Sequence, residues 1–332
     1  MAAMKNDSFA IINVNIVNED LIAESDVIIR DGRISKIGSN LSVPNDLEVI
    51  DANGKYLLPG LIDDQVHFRE PGLTHKGGIA SESAAAVAGG VTSFMDMPNV
   101  DPATTTRALL AEKYALASGK AYANYAFYLG ATNSNIDEIK QLKIGEACGL
   151  KVFMGASTGN LLVNDSSALD NIFAECPILI ATHCEDTPTI ERNLAKVMSQ
   201  YPAGKIPVSE HPNIRSVEAC YKSSSKAVQY AKKHDSKLHI LHLTTEKEMD
   251  LFSTGDCATK RITAEVCVHH LHYDDSYYDL MGSKIVCNPA IKTKNDCHSL
   301  RAAVRSGKID VIATDHAPHT LEEKEKPYPD HP

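Results

Sequence analysis

Side chains able to do chemistry are scattered along this sequence, and the first of them lie in DDQVHFREPG, Asp63 to Gly72. Alternate residues on a β-strand share one face, so an H-x-H pair at a strand end would form half of a metal site. Here the pair is Gln65 and His67. From these residues alone the stretch reads as a damaged metal site, a modified one or none.

Further candidates follow at long intervals, each inside or just after an apolar run: Lys151 in GLKVFMG, His183 in ILIATHC, His242 in KLHILHL and Asp315 in IDVIATD. Histidine and aspartate are ligand types for divalent metals. One histidine alone is more often a hydrogen-bonded structural residue; a fold that gathers all five groups at one point is what would make them a site. His239 and His242 differ by an odd number of positions, so on a regular strand they face opposite sides. His242, nearer the C-terminal end, is assigned to the site and His239 to the side packed against helices. Lys151 is the unusual member. An ammonium among cations and imidazoles carries a large desolvation and repulsion cost, so there it must be neutralised or modified. Uptake of CO2 would give an anionic carbamate with two oxygens, able to bridge two metals. The alternative is a lysine whose stem follows the strand while its head reaches solvent. His269, His270 and His272 fall in a loop after the seventh apolar run, with an open relation to the site.

The elements that must gather these groups are visible in the hydrophobic pattern. Residues 9–57 alternate β-rich runs with turns at Asp31-Gly32 and Asn53-Gly54, which predicts a small antiparallel β unit. From Leu58 on, eight apolar strands alternate with helical stretches: LLPGLIDDQVHF, VTSFMDM, ANYAFYLG, GLKVFMG, ILIATHC, KLHILHL, RITAEVC and IDVIATD. Such alternation implies a parallel sheet, and eight strands close a barrel. The expected fold is therefore α/β, a (β/α)8 TIM-like barrel over residues 58–332 with a small β-sandwich domain from residues 1–57. Helices are predicted over Thr104 to Ala117 and over Ser216 to Lys233. In a barrel of this kind function sits at the C-terminal strand ends, where His67, His183, His242 and Asp315 fall, with Lys151 inside the fourth strand. No eighth helix is evident after the eighth strand, and the β unit needs more partners than it supplies. A chain that continues beyond residue 332 in the natural protein, completing the small domain, is expected.

Composition narrows the function classes. Hydrophobic residues at 43% and charged residues at 23% are ordinary for a globular protein. A net charge of −10, without a run of Lys and Arg interleaved with aromatics, argues against a nucleic-acid partner. The N-terminus lacks the flanks of a secretory signal, and no segment has the apolar length to span a bilayer. The eight cysteines form no CxxC pair, which suits a reducing compartment. These features predict a soluble, cytoplasmic protein acting on a small molecule, its cysteines mostly free and buried.

PGLIDDQVHFREPG, MDMPNVDP, GLKVFMG, ATHCED, LHILHLTT, EVCVHHL, CNPAIKTKNDCHSL and IDVIATDHAPHTLEEK together resemble the dihydroorotases of the amidohydrolase superfamily, over essentially the whole chain from residue 9. The REPG, MPN and ATDHAPH elements are specific within that superfamily; hydantoinase-like and allantoinase-like relatives combine them less fully. The resemblance implies a binuclear zinc site, with His67 and Asp315 on the first ion, His183 and His242 on the second, and Lys151 as an N6-carboxylated bridge. It also implies Arg69 and Asn99 on the substrate carboxylate, Asn288 and His319 as further contacts, and Asp315 as catalytic acid and base. The implied reaction is the reversible cyclisation of N-carbamoyl-L-aspartate to (S)-dihydroorotate in pyrimidine biosynthesis, and a homodimer is the family-level expectation.

The chain departs from the pattern at Gln65, where the family usually has the first histidine. A carboxamide oxygen is a poorer zinc ligand than imidazole, so unequal occupancy is expected, with the His183/His242 position filled first. Val268, where relatives often have proline, and Ala290-Ile291-Lys292, in place of Pro-Leu-Arg, alter the pocket rim. Two rival readings remain at this level. One is a dihydroorotase-like chain that has lost catalysis and serves as structural partner of a pyrimidine-pathway enzyme; persistence of five ligand-type residues weighs against it. The other is a hydrolase of a different cyclic amide such as a hydantoin; Arg69 and Asn99 weigh against that, because a hydantoin ring need not present a carboxylate.

Overall fold

The structure, a computed structural model, describes residues 7–155, 159–201 and 205–332. The chain divides into two compact units, Met1–Leu61 and Ile62–Pro332. In the first, β1 (Phe9–Asn18), β2 (Leu21–Arg30) and β3 (Arg33–Gly38) form an antiparallel meander. Asp31 and Gly32 have φ of 50° and 70°, the two-residue turn whose handedness suits the twist of its flanking strands.

β4 (Glu48–Asp51) and β5 (Tyr56–Leu57) instead run parallel to β1, so the sheet is mixed and the antiparallel expectation is corrected. The reason lies at Asn53-Gly54, where φ is 49° and 73°. Such a turn would ordinarily fold a hairpin, but its backbone is engaged by β1: Ala52 N–H donates to Ile12 O at 2.9 Å and Gly54 N–H to Asn13 O at 2.8 Å. Asn13 itself has φ of 54°, at a register shift between Ile11 and Val14. β4 and β5 thus lie end to end along one edge of β1, on either side of its bulge.

The second unit is the barrel. Its strands are β6 (Leu61–Val66), β7 (Val91–Asp96), β8 (Asn124–Phe127) continued by β9 (Leu129–Gly130), β10 (Leu150–Phe153), β11 (Ile180–His183), β12 (Leu238–Ile240), β13 (Ile262–Cys267) and β14 (Val311–Ala313). β8 and β9 are one strand interrupted at Tyr128, so the runs β6-β7-β8 and β9 to β14 are successive arcs of a single ring. The ring closes where His67 N–H donates to His316 O at 2.8 Å, beside a parallel bridge between Val66 and His316.

Alternation sorts the strand residues. Leu150 and Val152 of β10, Ile180 of β11, and Leu238 and Ile240 of β12 join the core between strands and helices, where full burial of one such side chain contributes about 1.5–3 kcal/mol. Their neighbours in sequence must then face the barrel interior. The helices begin close to where their capping residues place them: Arg107–Ala117 is capped by Thr106, which accepts from Leu109 N–H, and Val217–His234 by Ser216, which accepts from Ala219 N–H. No helix among the described residues is long and apolar enough to cross a membrane. All eight cysteines are free, as expected; Cys184, Cys220, Cys267 and Cys297 are buried, Cys148, Cys176 and Cys287 half-buried, and Cys257 exposed, so burial holds for half of them.

One buried charge pair fixes the turn that follows β6. Lys113, on the helix Arg107–Ala117, lies 2.8 Å from Asp96 at the end of β7, with side chains 1% and 0% exposed. Asp96 also accepts the Phe68 N–H at 2.9 Å. Lys113→Met would leave the Asp96 carboxylate buried without its cation, and a loss of about 3–5 kcal/mol in urea unfolding is expected. The double variant Lys113→Met/Asp96→Asn should recover part of it, because the uncompensated charge is then gone.

Candidate active site

Each candidate residue reaches the C-terminal mouth of the barrel by a definable local feature. Lys151, between Leu150 and Val152, points inward; it is 1% exposed and its ammonium lies 4.6 Å from the centre of the Phe153 ring. It does not reach solvent. Burial lowers its pKa from 10.5 to about 8. His183 is the last residue of β11, and Asp315, with φ of 49°, follows β14. His242 lies beyond the end of β12 with φ of 39°, and its N–H donates to Glu265 Oε1 at 2.8 Å.

That left-handed turn defeats the parity expected for His239. Leu238 and Ile240 face the helices, so His239 faces inward; its Nε2 lies 3.3 Å from Asp64 Oδ2 on β6 and 3.4 Å from Glu265 Oε2 on β13. β6 is not a neighbour of β12 in the ring, so the first contact crosses the interior. His239 is therefore reassigned from the helix-packed side to the barrel interior, and His242 reaches the mouth because the strand has already ended.

The ligand-type groups meet in two pairs. His183 Nε2 donates to Glu185 Oε2 at 3.0 Å, and Arg215 holds that carboxylate at 2.5 Å. The remaining lone pair of His183, on Nδ1, then faces His242 Nε2 at 3.0 Å. Burial pushes both imidazoles down in pKa, His242 farther, so both are neutral, the form that binds metals. In the second pair, His67 Nδ1 donates to Asn99 Oδ1 at 2.6 Å, which leaves its Nε2 3.0 Å from Asp315 Oδ1. Gln65 Nε2 donates to the same oxygen at 3.0 Å. Burial alone would raise the Asp315 carboxyl, but the hydrogen bond and close contact with His67 hold it well below the ordinary value.

These pairs test the implied metal. A coordinating imidazole commonly has its other nitrogen on a carboxylate or carbonyl, as His183 and His67 do here. In each pair a ring nitrogen not held by its outer partner lies 3.0 Å from a second donor atom, close enough for one cation to be met by both groups. Gln65 Oε1 and His242 Nδ1 are buried without a hydrogen-bond partner among the described residues. The donor set fits a divalent ion.

All six of these groups wall one cavity of about 800 Å³. Arg69, Asn99, Asn288 and His319 line it as well. Arg69, 6% exposed with φ of 64°, donates from Nε to Pro318 O at 3.1 Å and lies 3.0 Å from His319 Nε2 through Nη2. Gly72 makes its turn possible: φ is 81°, and a Cβ would overlap the carbonyl of Asp101 in the loop after β7. His319 Nδ1 faces Glu323 at 3.0 Å, and burial together with the Arg69 charge lowers its pKa to about 4, so both ring nitrogens of a neutral imidazole are engaged. The three histidines expected in a loop lie instead on the short helix Val268–His272: His269 lines the cavity, His270 is buried with Nε2 on Pro289 O at 3.1 Å, and His272 packs on Tyr273.

Sequence reasoning missed the acids that hold these imidazoles. Glu185, Glu265 and Asp64 are not ligand candidates by position, yet each contacts a histidine or its backbone. An available signal was the H-x-E spacing of His183 and Glu185. Donor atoms of Asp64, His239 and Glu265, and of Cys267, His269 and His270, also lie within 4.8 Å of one another.

This architecture is shared with hydrolases of cyclic amides. L-Hydantoinase (dihydropyrimidinase) from Arthrobacter aurescens matches with a TM-score of 0.88 and 25% identity, over 97% of this chain and 72% of that one. D-Hydantoinase (dihydropyrimidinase) from Thermus sp., at 23% identity and a TM-score of 0.82, covers 98% of this chain and 73% of its own and shares the fold. The chain is thus a barrel hydrolase of the cyclic-amide class. Sequence narrows it further. Residues 54–154 match the family described as Dihydro-orotase-like. The dihydroorotase of Methanosphaera stadtmanae is 31% identical over 304 residues, 90% of this chain and 68% of the relative; that of Carboxydothermus hydrogenoformans is 32% identical over 328 residues, 96% and 73%. The chain belongs to the dihydroorotase family.

Proposed function

We propose that this chain catalyses the reversible cyclisation of N-carbamoyl-L-aspartate to (S)-dihydroorotate, with zinc bound among His67, Lys151, His183, His242 and Asp315. The observation that carries the reading is Arg69: a buried guanidinium, pinned by Pro318 and His319, opens on the cavity that holds the ligand cluster. A small ring bearing one carboxylate and one hydrolysable amide satisfies both ends. Lys151 would join the site as a carbamate, since its lowered pKa leaves neutral amine to take up CO2.

When bound, zinc supplies Lewis acidity toward the amide carbonyl and lowers the pKa of water to roughly 7. The chain's own groups do the rest. In ring opening, oxygen from water bonds to the amide carbon and the carbon–nitrogen bond breaks. Asp315, ionised at neutral pH, takes the proton from the attacking water and delivers it to the departing ring nitrogen. In ring closure the same carboxylate takes the ureido proton and returns it to the leaving oxygen. Arg69 offers a planar fork to the substrate carboxylate. Asn99, its oxygen engaged by His67, has its amide N–H2 to offer, and Asn288 adds a polar group to the wall. His319 acts through Arg69, as a positioning residue, in place of the direct substrate contact the resemblance implied. A cytoplasmic location, supported by the free cysteines, and a homodimer, supported by the family alone, complete the reading.

Arg69→Met should raise KM for dihydroorotate by about 10- to 100-fold, the equivalent of the 1.5–3 kcal/mol of a hydrogen bond to a charged group, with kcat changed by less than about threefold. The function itself is tested with purified, zinc-supplemented protein, following dihydroorotate consumption with and without bicarbonate and hydantoin opening in parallel. Dihydroorotate should be consumed, faster with bicarbonate, and hydantoin hardly at all. A preference for hydantoin, or no turnover of either ring by metal-loaded protein, would overturn the proposal.

A further inference from the structure

We infer that the two ion positions are unlike: His183 and His242 select zinc, whereas the position at β6 favours an oxygen-preferring divalent cation such as Mn2+ or Mg2+, with Gln65 as the residue that sets the difference. The inference rests on the metal-dependent reading above and extends it to the identity of the ions.

The orientation of the Gln65 amide follows from its partner. The Asp315 carboxylate only accepts, so the contact at 3.0 Å must come from the Gln65 N–H2. The amide oxygen is thereby turned away from Asp315. It is buried, the residue is 1% exposed, and Oε1 has no hydrogen-bond partner among the described residues. A buried carbonyl oxygen in that state bears the full cost of its desolvation unless a cation or water meets it. Gln65 shares a strand face with His67, and both line the cavity with Asp315. The donors gathered at β6 are therefore an amide oxygen, a carboxylate oxygen and a single imidazole nitrogen. The other position has two imidazole nitrogens 3.0 Å apart. Imidazole suits zinc, while carbonyl and carboxylate oxygens suit Mg2+ and Mn2+. Zinc remains the stronger binder at nitrogen sites, so a limited supply of it goes to the histidine pair and leaves the β6 position to the harder ion.

The test counts metals and does not depend on turnover. Chelator-stripped protein is given one equivalent of zinc, then titrated with Mn2+ while the free-ion EPR signal is followed; a parallel sample receives only zinc. Wild type should bind one Mn2+ per chain beside one zinc, and its second zinc should bind at least about tenfold more weakly than its first. Gln65→His should shift the preference at the second position toward zinc by at least about tenfold, while Gln65→Glu, which keeps an oxygen donor, should retain Mn2+; thermal melts check that each variant is folded. Two zinc ions of equal affinity in wild type, or a preference that Gln65→His leaves unmoved, would overturn the inference; should Gln65→His not fold, loss of Mn2+ from folded Gln65→Glu would do so. Dihydroorotate turnover by protein holding two equal zinc ions would defeat this inference alone, whereas the mixed-metal pattern without turnover would defeat the proposed function.

Discussion

Asp315→Asn is expected to lower turnover by about 10²- to 10⁴-fold, the usual worth of a positioned acid–base group, while dihydroorotate still binds to within about threefold. The substitution is nearly isosteric. Asparagine tolerates the left-handed backbone found at this position, where φ is 49°, so the turn after β14 should persist. It also keeps an oxygen that can face a cation. What it removes is a group able to hold a proton between the attacking water and the departing nitrogen. Steady-state kinetics together with calorimetric titration of dihydroorotate separate the two effects, and metal analysis establishes that the variant is loaded. Near wild-type turnover would remove Asp315 from the acid–base role.

Lys151→Ala should be the other severe change, with a loss beyond the 10- to 100-fold typical of removing an outer partner of a metal ligand. The side chain is 1% exposed, its ammonium lies against the Phe153 ring, and it takes part in no ion pair among the described residues. Its chemical use is the neutral amine. With the pKa lowered by burial to about 8, the amine is roughly half neutral at pH 8 and only about 3% neutral at pH 6.5. Carbamate formation needs that neutral form, so it should increase as pH rises through this range. Protein incubated with 13C-bicarbonate should show a carbamate NMR signal that is stronger at pH 8.5 than at pH 6.5 and absent from Lys151→Ala. A variant that retains both its metal content and its activity would exclude Lys151 from the site.

Much of the architecture was legible because strand alternation and helix capping are local properties. Leu150 and Val152 flank Lys151 with the spacing of a helix-facing strand, and Thr106 and Ser216 each start a helix by a hydrogen bond within its first turn. The errors arose where a local rule met a distant partner. The Asn53-Gly54 turn has hairpin chemistry, but β1 captures its backbone and makes β4 and β5 parallel. His239 and His242 obey strand parity only as far as Ile240; beyond it Glu265, on the next strand, accepts the His242 N–H and holds the left-handed turn.

By itself the sequence determined which chemical groups were available and at which strand ends they would stand, because residue type and hydrophobic period are written in it directly. It also placed an amide, Gln65, two residues before His67 on the first strand, where the resemblance implies a second imidazole. Only the tertiary structure decided which nitrogen of His183 is free, which way the Gln65 amide points and that His319 lies against Arg69. The last two states are chosen by partners far away in the chain, Asp315 for Gln65 and Arg69 for His319, which the barrel brings together; Glu185 is only two residues from His183, but Arg215, 30 residues further on, holds its carboxylate in place.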